Sequence, residues 1–334
     1  MRVALLINSK SQTSVPSLWV DSLNALDLNQ GEIKLFSLWE GLINIGNFSD
    51  YDVIQCHHHK SAFIMYCLFA ILRKKSKFIF VSQGSHHFLS TTNKAIQLII
   101  NWFFDHIVFV NYELFNQLND RHKKILQNRH SIVFNAIEHL KPAKGNNNIL
   151  KKYSINPSRK LVFNPARTVI EKNQIKLLES IKILSKKYKD ILLVIAGDGN
   201  QMKNIISHIK KHQLEKNVML LGSIPRTDVL HFYNQCDVYC MVSISEGLNT
   251  TFLEAMQLKT KMVVSNIDQF IYPLKKKGLN AEDLNIRFAE PNSSDDIAAC
   301  IEQMLLKDGV SKLEKFPFLL EDMLAEYQDI YKRI

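Results

Sequence analysis

Glu246 and Glu254 flank the run Gly-Leu-Asn-Thr-Thr within VYCMVSISEGLNTTFLEAMQLKTKMVVS, residues 238–265. Two carboxylates acting as acid and base on one glycosidic bond stand roughly 5 to 9.5 Å apart across it. Eight residues of continuous helix correspond instead to a rise of roughly 12 Å and a rotation of roughly 80° away from a common face. That separation suits two ends of one elongated ligand. Gly247 permits a sharp turn and Asn249 is a good N-cap. Thr250 and Thr251 then fall in a first helical turn, whose backbone N–H groups can receive an anion such as a phosphate. Spacing alone leaves a second reading open, in which Glu246 is solvated and Glu254 merely favours the first turns of its helix through the dipole.

The elements that must hold these residues follow from hydrophobic patterning. In the first half, the apolar runs VALLI, KLFSL, DVIQC, FIFVS, HIVFV and SIVFN alternate with helical periodicity at 17–26, 61–73, 92–103 and 112–126. That alternation predicts a parallel, doubly wound sheet. A polar stretch rich in Lys, Asn and Pro, 139–160, contains the linker. The scheme then repeats, with strands expected near 161–164, 191–196, 217–221, 237–241 and 261–265. Helices are expected at about 173–187, 200–213, 227–235, 250–258 and 295–306. In such sheets ligands sit outside the carboxyl ends of strands at a topological switch point. Ala166-Arg167, Gly197-Asp198, Ser223-Ile224 and Ser245-Glu246 all follow expected strands, so the chemistry converges on one rim.

The 238–265 segment resembles the C-terminal signature of the family 4 glycosyltransferases, in which Glu246, Gly247, Leu248, Leu253, Glu254 and Ala255 match Glu-Gly-(Phe/Leu)-x4-(Leu)-Glu-Ala. Upstream, LVFNPARTVIEKNQ at 161–174 is similar to that family's strand followed by Gly-Arg-x4-Lys, with Arg167 and Lys172 in the matching places. IAGDGN at 195–200 and LLGSIPRTDVLHFYNQCDVYCMVS at 220–243 follow in the family's order. Weaker echoes cover the first half: YDVIQCHHH with His57 aligned, FDHIVFVN and VFNAIE.

The resemblance implies a GT-B fold: an α/β chain of two facing Rossmann-like, doubly wound parallel-sheet domains with a C-terminal helix crossing back. The expected N-terminal, acceptor-side domain is 1–145, with about 312–334 packing on it, and the expected nucleotide-sugar domain is 158–311. The implied activity is retaining transfer from a nucleotide-diphosphate sugar by front-face substitution, with no metal and no cofactor beyond that donor substrate. By this resemblance Arg167, Lys172 and the turn at Thr250 and Thr251 serve the leaving diphosphate, Glu246 the hydroxyls of the transferred sugar, and Glu254 the ribose. Asn249, Leu248, Gly247, Gly197 and Ile224 complete the donor site. Gly197 and Gly199 serve their turn, and Asp198 is expected to cap the next helix.

Three departures stand out. The glycine-rich loop that often follows the first strand is Asn8-Ser9-Lys10-Ser11. The usual His-Gly after the fourth strand is Gln83-Gly84, so His86 or Gln83 is expected to take that histidine's place. Lys259 and Lys261 stand where glycine and proline are usual.

A 334-residue chain that is 46% hydrophobic and 10% aromatic supports two packed cores rather than disorder. Five cysteines without metal spacing read as reduced thiols, which points to the cytoplasm. MRVALLINSK reads as a first strand rather than a signal peptide, and the longest apolar stretch, 62–72, falls short of a bilayer span. The net charge of +10, with clusters at 73–77 and 121–124, favours anionic partners. No aromatic-interleaved basic motif marks a nucleic-acid binder. The clusters suit either solvated helix ends or contact with an anionic membrane surface at its inner face. The implied partners are a nucleotide sugar and a glycan or lipid-linked glycan of the cell surface: capsule, lipopolysaccharide or exopolysaccharide. Two alternatives stay open: a non-catalytic GT-B partner subunit that binds nucleotide sugar, and a GT-B nucleotide-sugar epimerase.

Overall fold

The computed structural model describes residues 1–7, 33–43, 50–71, 75–83, 90–140 and 149–334. The helix expected at 17–26, the Asn8–Ser11 turn and His86 lie outside the described residues. The chain divides into two compact units, Met1–Glu138 with Phe318–Ile334, and His139–Pro317.

In the first unit the described elements are β1 (Val3–Ile7), β2 (Ile33–Ser37), α1 (Leu38–Ile43), β3 (Val53–Cys56), α2 (His59–Ile71), β4 (Lys77–Ser82), α3 (Thr91–Phe103), β5 (His106–Phe109), α4 (Tyr112–Asn116), α5 (Asp120–Ile125) and β6 (His130–Ile132). The strands form one parallel sheet in the order β2-β1-β3-β4-β5-β6. β1, β3 and β5 are buried along their whole length, as apolar runs between two layers must be. The single helix expected over 112–126 is two. Asn111 caps the first by accepting from the Glu113 N–H at 3.0 Å, and Asn119 caps the second by accepting from the His122 N–H at 3.0 Å.

The second unit holds α6 (Ile149–Lys152), β7 (Lys160–Pro165), α7 (Gln174–Lys187), β8 (Ile191–Ala196), α8 (Met202–Lys211), β9 (Val218–Gly222), α9 (Arg226–Gln235), β10 (Val238–Met241), α10 (Thr250–Gln257), β11 (Met262–Ser265), α11 (Asp268–Lys276), β12 (Ile286–Ala289) and α12 (Ser294–Leu306). Its parallel strands run β12-β11-β10-β7-β8-β9. The chain starts in the middle, winds outward through β8 and β9, and returns to the other side of β7 as β10. The switch point therefore lies between β7 and β10. The doubly wound parallel architecture expected from the alternation is present in both units.

The last helix, α13 (Leu320–Arg333), belongs to the first unit. It places Leu320, Met323, Leu324, Tyr327, Ile330 and Tyr331 in that unit's core. The chain enters it through a parallel bridge in which Ile137 N–H donates to Phe318 O at 3.1 Å and Leu320 N–H to Ile137 O at 2.9 Å.

α10 ends in a Schellman motif. Thr260 N–H donates to Ala255 O and Lys259 N–H to Met256 O, both at 3.0 Å, and the residue between them and the helix, Lys259, sits at φ 59°. A side chain there crowds the backbone, which is why glycine dominates this position. Lys259→Gly should raise stability by about 1 kcal/mol, read as a higher melting temperature.

Candidate functional site

The switch point gathers the sequence-selected residues of the second unit. After β7 the chain passes Arg167 and a short 3-10 turn, Ile170–Lys172, before Asn173 opens α7. Asn173 takes the left-handed conformation at φ 56°. Its side-chain N–H₂ donates to Val242 O at 3.0 Å and Pro291 O at 2.7 Å, which holds the strained turn against the loop after β10. The Ile244 N–H donates to Glu171 O at 2.8 Å and fastens the same seam.

This stitching brings Lys172 Nζ to 2.5 Å from Glu246 Oε1, with side chains only 13% and 6% exposed. The Ser243 hydroxyl donates to the same oxygen at 2.6 Å, and is itself positioned by Ser265, whose hydroxyl donates to Ser243 O at 2.6 Å. Glu246 Oε1 is thus engaged twice, while Oε2 has no partner among the described residues. Arg167 is exposed and its guanidinium has no hydrogen-bond or ion-pair partner among the described residues. Its carbonyl accepts from the Gln174 side chain at 3.0 Å. The site therefore offers one braced acid, one cation shared with that acid and one uncommitted cation.

Glu246 lies in the loop before the N-cap, and Glu254 lies inside α10. The helical spacing estimated for a continuous helix does not apply to them. Gly247 is not at a left-handed backbone position; the nearby glycine that is, Gly222, ends β9 at φ 62° and leads to half-exposed Ile224.

The first turn of α10 also differs from expectation. Asn249 Oδ1 accepts from the Thr251 N–H at 2.9 Å and from its hydroxyl at 2.8 Å, and that hydroxyl lies 3.1 Å from the Tyr239 hydroxyl. Thr251 is committed to the cap, because a side chain that caps an N–H uses the donor an anion would need. Thr250 N–H remains open. Leu248 is fully buried and anchors the loop.

Glu254 is 4% exposed. Arg226, the first residue of α9, brings Nε and a terminal nitrogen each to 2.9 Å from Glu254 Oε1, and the Tyr233 hydroxyl donates to Oε2 at 3.4 Å. Burial raises the Glu254 pKa above the ordinary carboxylate value, and the Arg226 guanidinium opposes that rise. Arg226 was invisible to sequence reasoning, since one basic residue at a helix start carries no signal of its own.

In the first unit Gln83 follows β4 and lies with its amide 3.1 Å from Nδ1 of His57, which follows β3. Nε2 of His57 is 3.0 Å from the Gln55 amide, and the Tyr331 hydroxyl donates to Gln55 Oε1 at 2.8 Å. Burial, with His58 adding to it, pushes His57 down to about 3, so the ring is neutral. Among the described residues no three His, Cys, Asp or Glu side chains converge as a metal centre.

Residues 145–316 match the glycosyl transferases group 1 family. The chain is 30% identical over 175 residues to an uncharacterized glycosyltransferase of Methanocaldococcus jannaschii, covering 51% of this chain and 43% of that one. It is 26% identical over 160 residues to an O-antigen biosynthesis glycosyltransferase of Escherichia coli, covering 46% and 42%. The matched regions thus span less than half the length of these relatives. Among solved structures, Anabaena Alr3699/HepE in complex with UDP and glucose superposes with a TM-score of 0.77 at 13% identity over 100% of both chains. A glycosyltransferase from Rickettsia africae gives 0.73 at 16% identity over 99% and 98%. The fold is GT-B.

The turns after β7 and β8 meet backbone to backbone. Thr168 N–H donates to Asp198 O at 3.0 Å and Gln201 N–H to Thr168 O at 2.9 Å. A Cβ on Gly197 would lie 2.0 Å from Ala166 O, and one on Gly199 would lie 2.4 Å from Thr168 O. Asp198 does not cap α8 as expected; its carboxylate accepts from the adjacent Gly199 N–H at 2.7 Å and closes its own turn. Gly197→Ala must push the Arg167 loop away. It should destabilise the chain by roughly 3 kcal/mol, read from denaturant unfolding.

Proposed function

The chain belongs to the group 1 glycosyl transferases, and from that premise we propose that it moves a sugar from a nucleotide-diphosphate sugar to a hydroxyl of a growing cell-surface glycan, with retention. The observation that carries the reading is the buried Lys172–Glu246 contact at the β7/β10 switch point, with Arg167 uncommitted in the loop that follows β7. An acid that grips sugar hydroxyls and a cation that meets a diphosphate belong at the junction of those two parts of a donor.

In the proposed reaction the acceptor oxygen bonds to the anomeric carbon on the face that the diphosphate leaves. The bond between that carbon and the phosphate oxygen breaks, and a phosphate oxygen takes the acceptor's proton. Negative charge grows on the leaving group, where preorganised donors act most strongly. Arg167 suits forked phosphate contact and Lys172 a point charge, and Thr250 N–H adds the positive end of α10. Glu246 Oε2 is left to accept from the sugar, and Glu254 from the ribose. Ile224, Leu248 and Gly197 shape the donor cleft, and Gln83 serves in place of the usual histidine. No separate cofactor enters this reading. The acceptor is taken to be a glycan, free or lipid-carried, at the inner face of the cytoplasmic membrane. The E. coli O-antigen relative supports the glycan class.

Gln83 in the histidine's place also fits a subunit that binds donor without turnover, and release of free nucleotide separates the two. Purified protein should convert donor to free nucleotide. Glu246→Ala and Lys172→Ala should each lower that rate by about a hundredfold or more, with the fold intact by circular dichroism. Absence of turnover across a panel of nucleotide sugars and acceptors would sink the transferase reading.

Arg226 supplies a pH signature. Glu254 must be ionised to accept from two ribose hydroxyls, burial favours its protonated form, and Arg226, Tyr233 and Tyr239 are the groups that face it. Removing the cation raises the carboxyl pKa further, so donor binding should weaken as pH falls and recover as pH rises. Arg226→Leu should move the acid limb of the donor-KM profile to higher pH, with KM on that limb rising about tenfold per unit of pKa shift and kcat little changed, and Arg226→Lys should restore much of it.

A further inference from the structure

Helix α3 departs from the usual amphipathic arrangement on both faces. Its buried residues are Ile96, Gln97, Ile100 and Asn101, half of them amides. Its outward residues include Leu98, Trp102 and Phe103, which are 41%, 46% and 60% exposed. Gln97 is satisfied on both sides, its Nε2 donating to Asn101 Oδ1 at 2.7 Å and its Oε1 lying 2.7 Å from His59 Nε2 of α2, while Asn101 Nδ2 is buried without a partner among the described residues. These bonds fix the rotation of α3 and leave its apolar stripe outward.

Helix α2 adjoins it, with the Tyr66 ring 5.9 Å from Phe103. It exposes Ile64 at 37% and Ile71 at 75%. Exposed apolar side chains on two adjoining helices are the kind of surface that marks a contact site. Its surroundings are basic. The Arg121 guanidinium stands 5.6 Å over the Trp102 ring, and Lys60, Lys75 and Lys124 are exposed on α2, beyond its end and on α5. Of the nearby carboxylates, Asp105 is paired with Lys77 at 3.0 Å, and Asp120 sits at the start of α5.

We propose that the outward face of α2 and α3, with the cations of α5, docks on the anionic surface of a lipid bilayer. Protein interfaces are depleted in lysine, whereas aromatic and aliphatic side chains bordered by Lys and Arg are the mark of a surface lying in the headgroup region. No helix among the described residues is long and apolar enough to cross a membrane, so this face lies on the bilayer. The proposal deepens the membrane-apposed acceptor reading above and rests on it for its biological sense.

The test is flotation of the whole chain with phosphatidylcholine vesicles, with and without phosphatidylglycerol. Binding is expected only with phosphatidylglycerol, and should fall with added salt. Arg121→Glu with Lys124→Glu should weaken it about fivefold per cation removed, and Trp102→Ser with Phe103→Ser about tenfold or more, with unchanged melting temperature and donor turnover. Failure of the parent chain to bind, binding by both double variants at the parent level, or a dimer that Trp102→Ser with Phe103→Ser dissociates would each overturn the docking surface. Vesicle binding without donor turnover would instead leave it standing and remove the transferase reading.

Discussion

The pairing of β7 with β10 is the constraint from which the site follows. Val162 lies opposite Val238 and Phe163 opposite Tyr239, although the chain passes through β8, β9 and their helices between them. The seam is closed at one end by Asp237, whose carboxylate accepts from the Leu161 N–H at 2.6 Å, and within the sheet by Asn164, whose N–H₂ donates to Cys240 O at 2.7 Å. Because both strands are parallel and in this register, their following loops leave the sheet side by side. Only then can Asn173 reach Val242 and Pro291, and only then does Lys172 meet Glu246. The ion pair is a consequence of strand order, not of any local property of either loop.

Burying such charges costs several kcal/mol per ion unless each is met, and the two acids are met differently. Glu246 shares one oxygen between an ammonium and a hydroxyl. Glu254 sits under a guanidinium fork, yet burial outweighs that cation and its pKa stays raised. Glu246 and Glu254 are each met by one cation, while the Arg167 guanidinium has no partner among the described residues. A diphosphate group is the kind of ligand that such an uncommitted guanidinium grips.

Much of this was legible because parallel strands buried on both faces read as continuous apolar runs. VALLI and HIVFV, and β8's ILLVIA, announce themselves. What stayed hidden had competing signals. α11 contains Pro273, which reads as a break, and β12 is a four-residue edge strand with exposed Arg287. The residues following strands at the switch point could be picked out by type, but not which oxygen of Glu246 would be braced or that Thr251 would give both its N–H and its hydroxyl to the Asn249 cap. Arg226 was missed because its partner lies 28 residues away in the chain, and only the packing of α9 beside α10 brings the two together.

In the first unit the polar chain around His57 is constrained by its count of protons. Neutral imidazole carries one N–H, so the two amides flanking His57 cannot both donate to it. Tyr331 donates to Gln55 Oε1, which leaves the Gln55 N–H₂ to face Nε2 of His57 and puts the ring proton on Nδ1. Gln83 Nε2 lies 3.1 Å from Nδ1, so meeting that proton takes a half-turn of the Gln83 amide about its last side-chain bond. Gln83, at the carboxyl end of β4, thus brings a neutral amide where a histidine would bring an imidazole, and it is tied through His57 and Gln55 to Tyr331, a residue of the final helix packed in the same core.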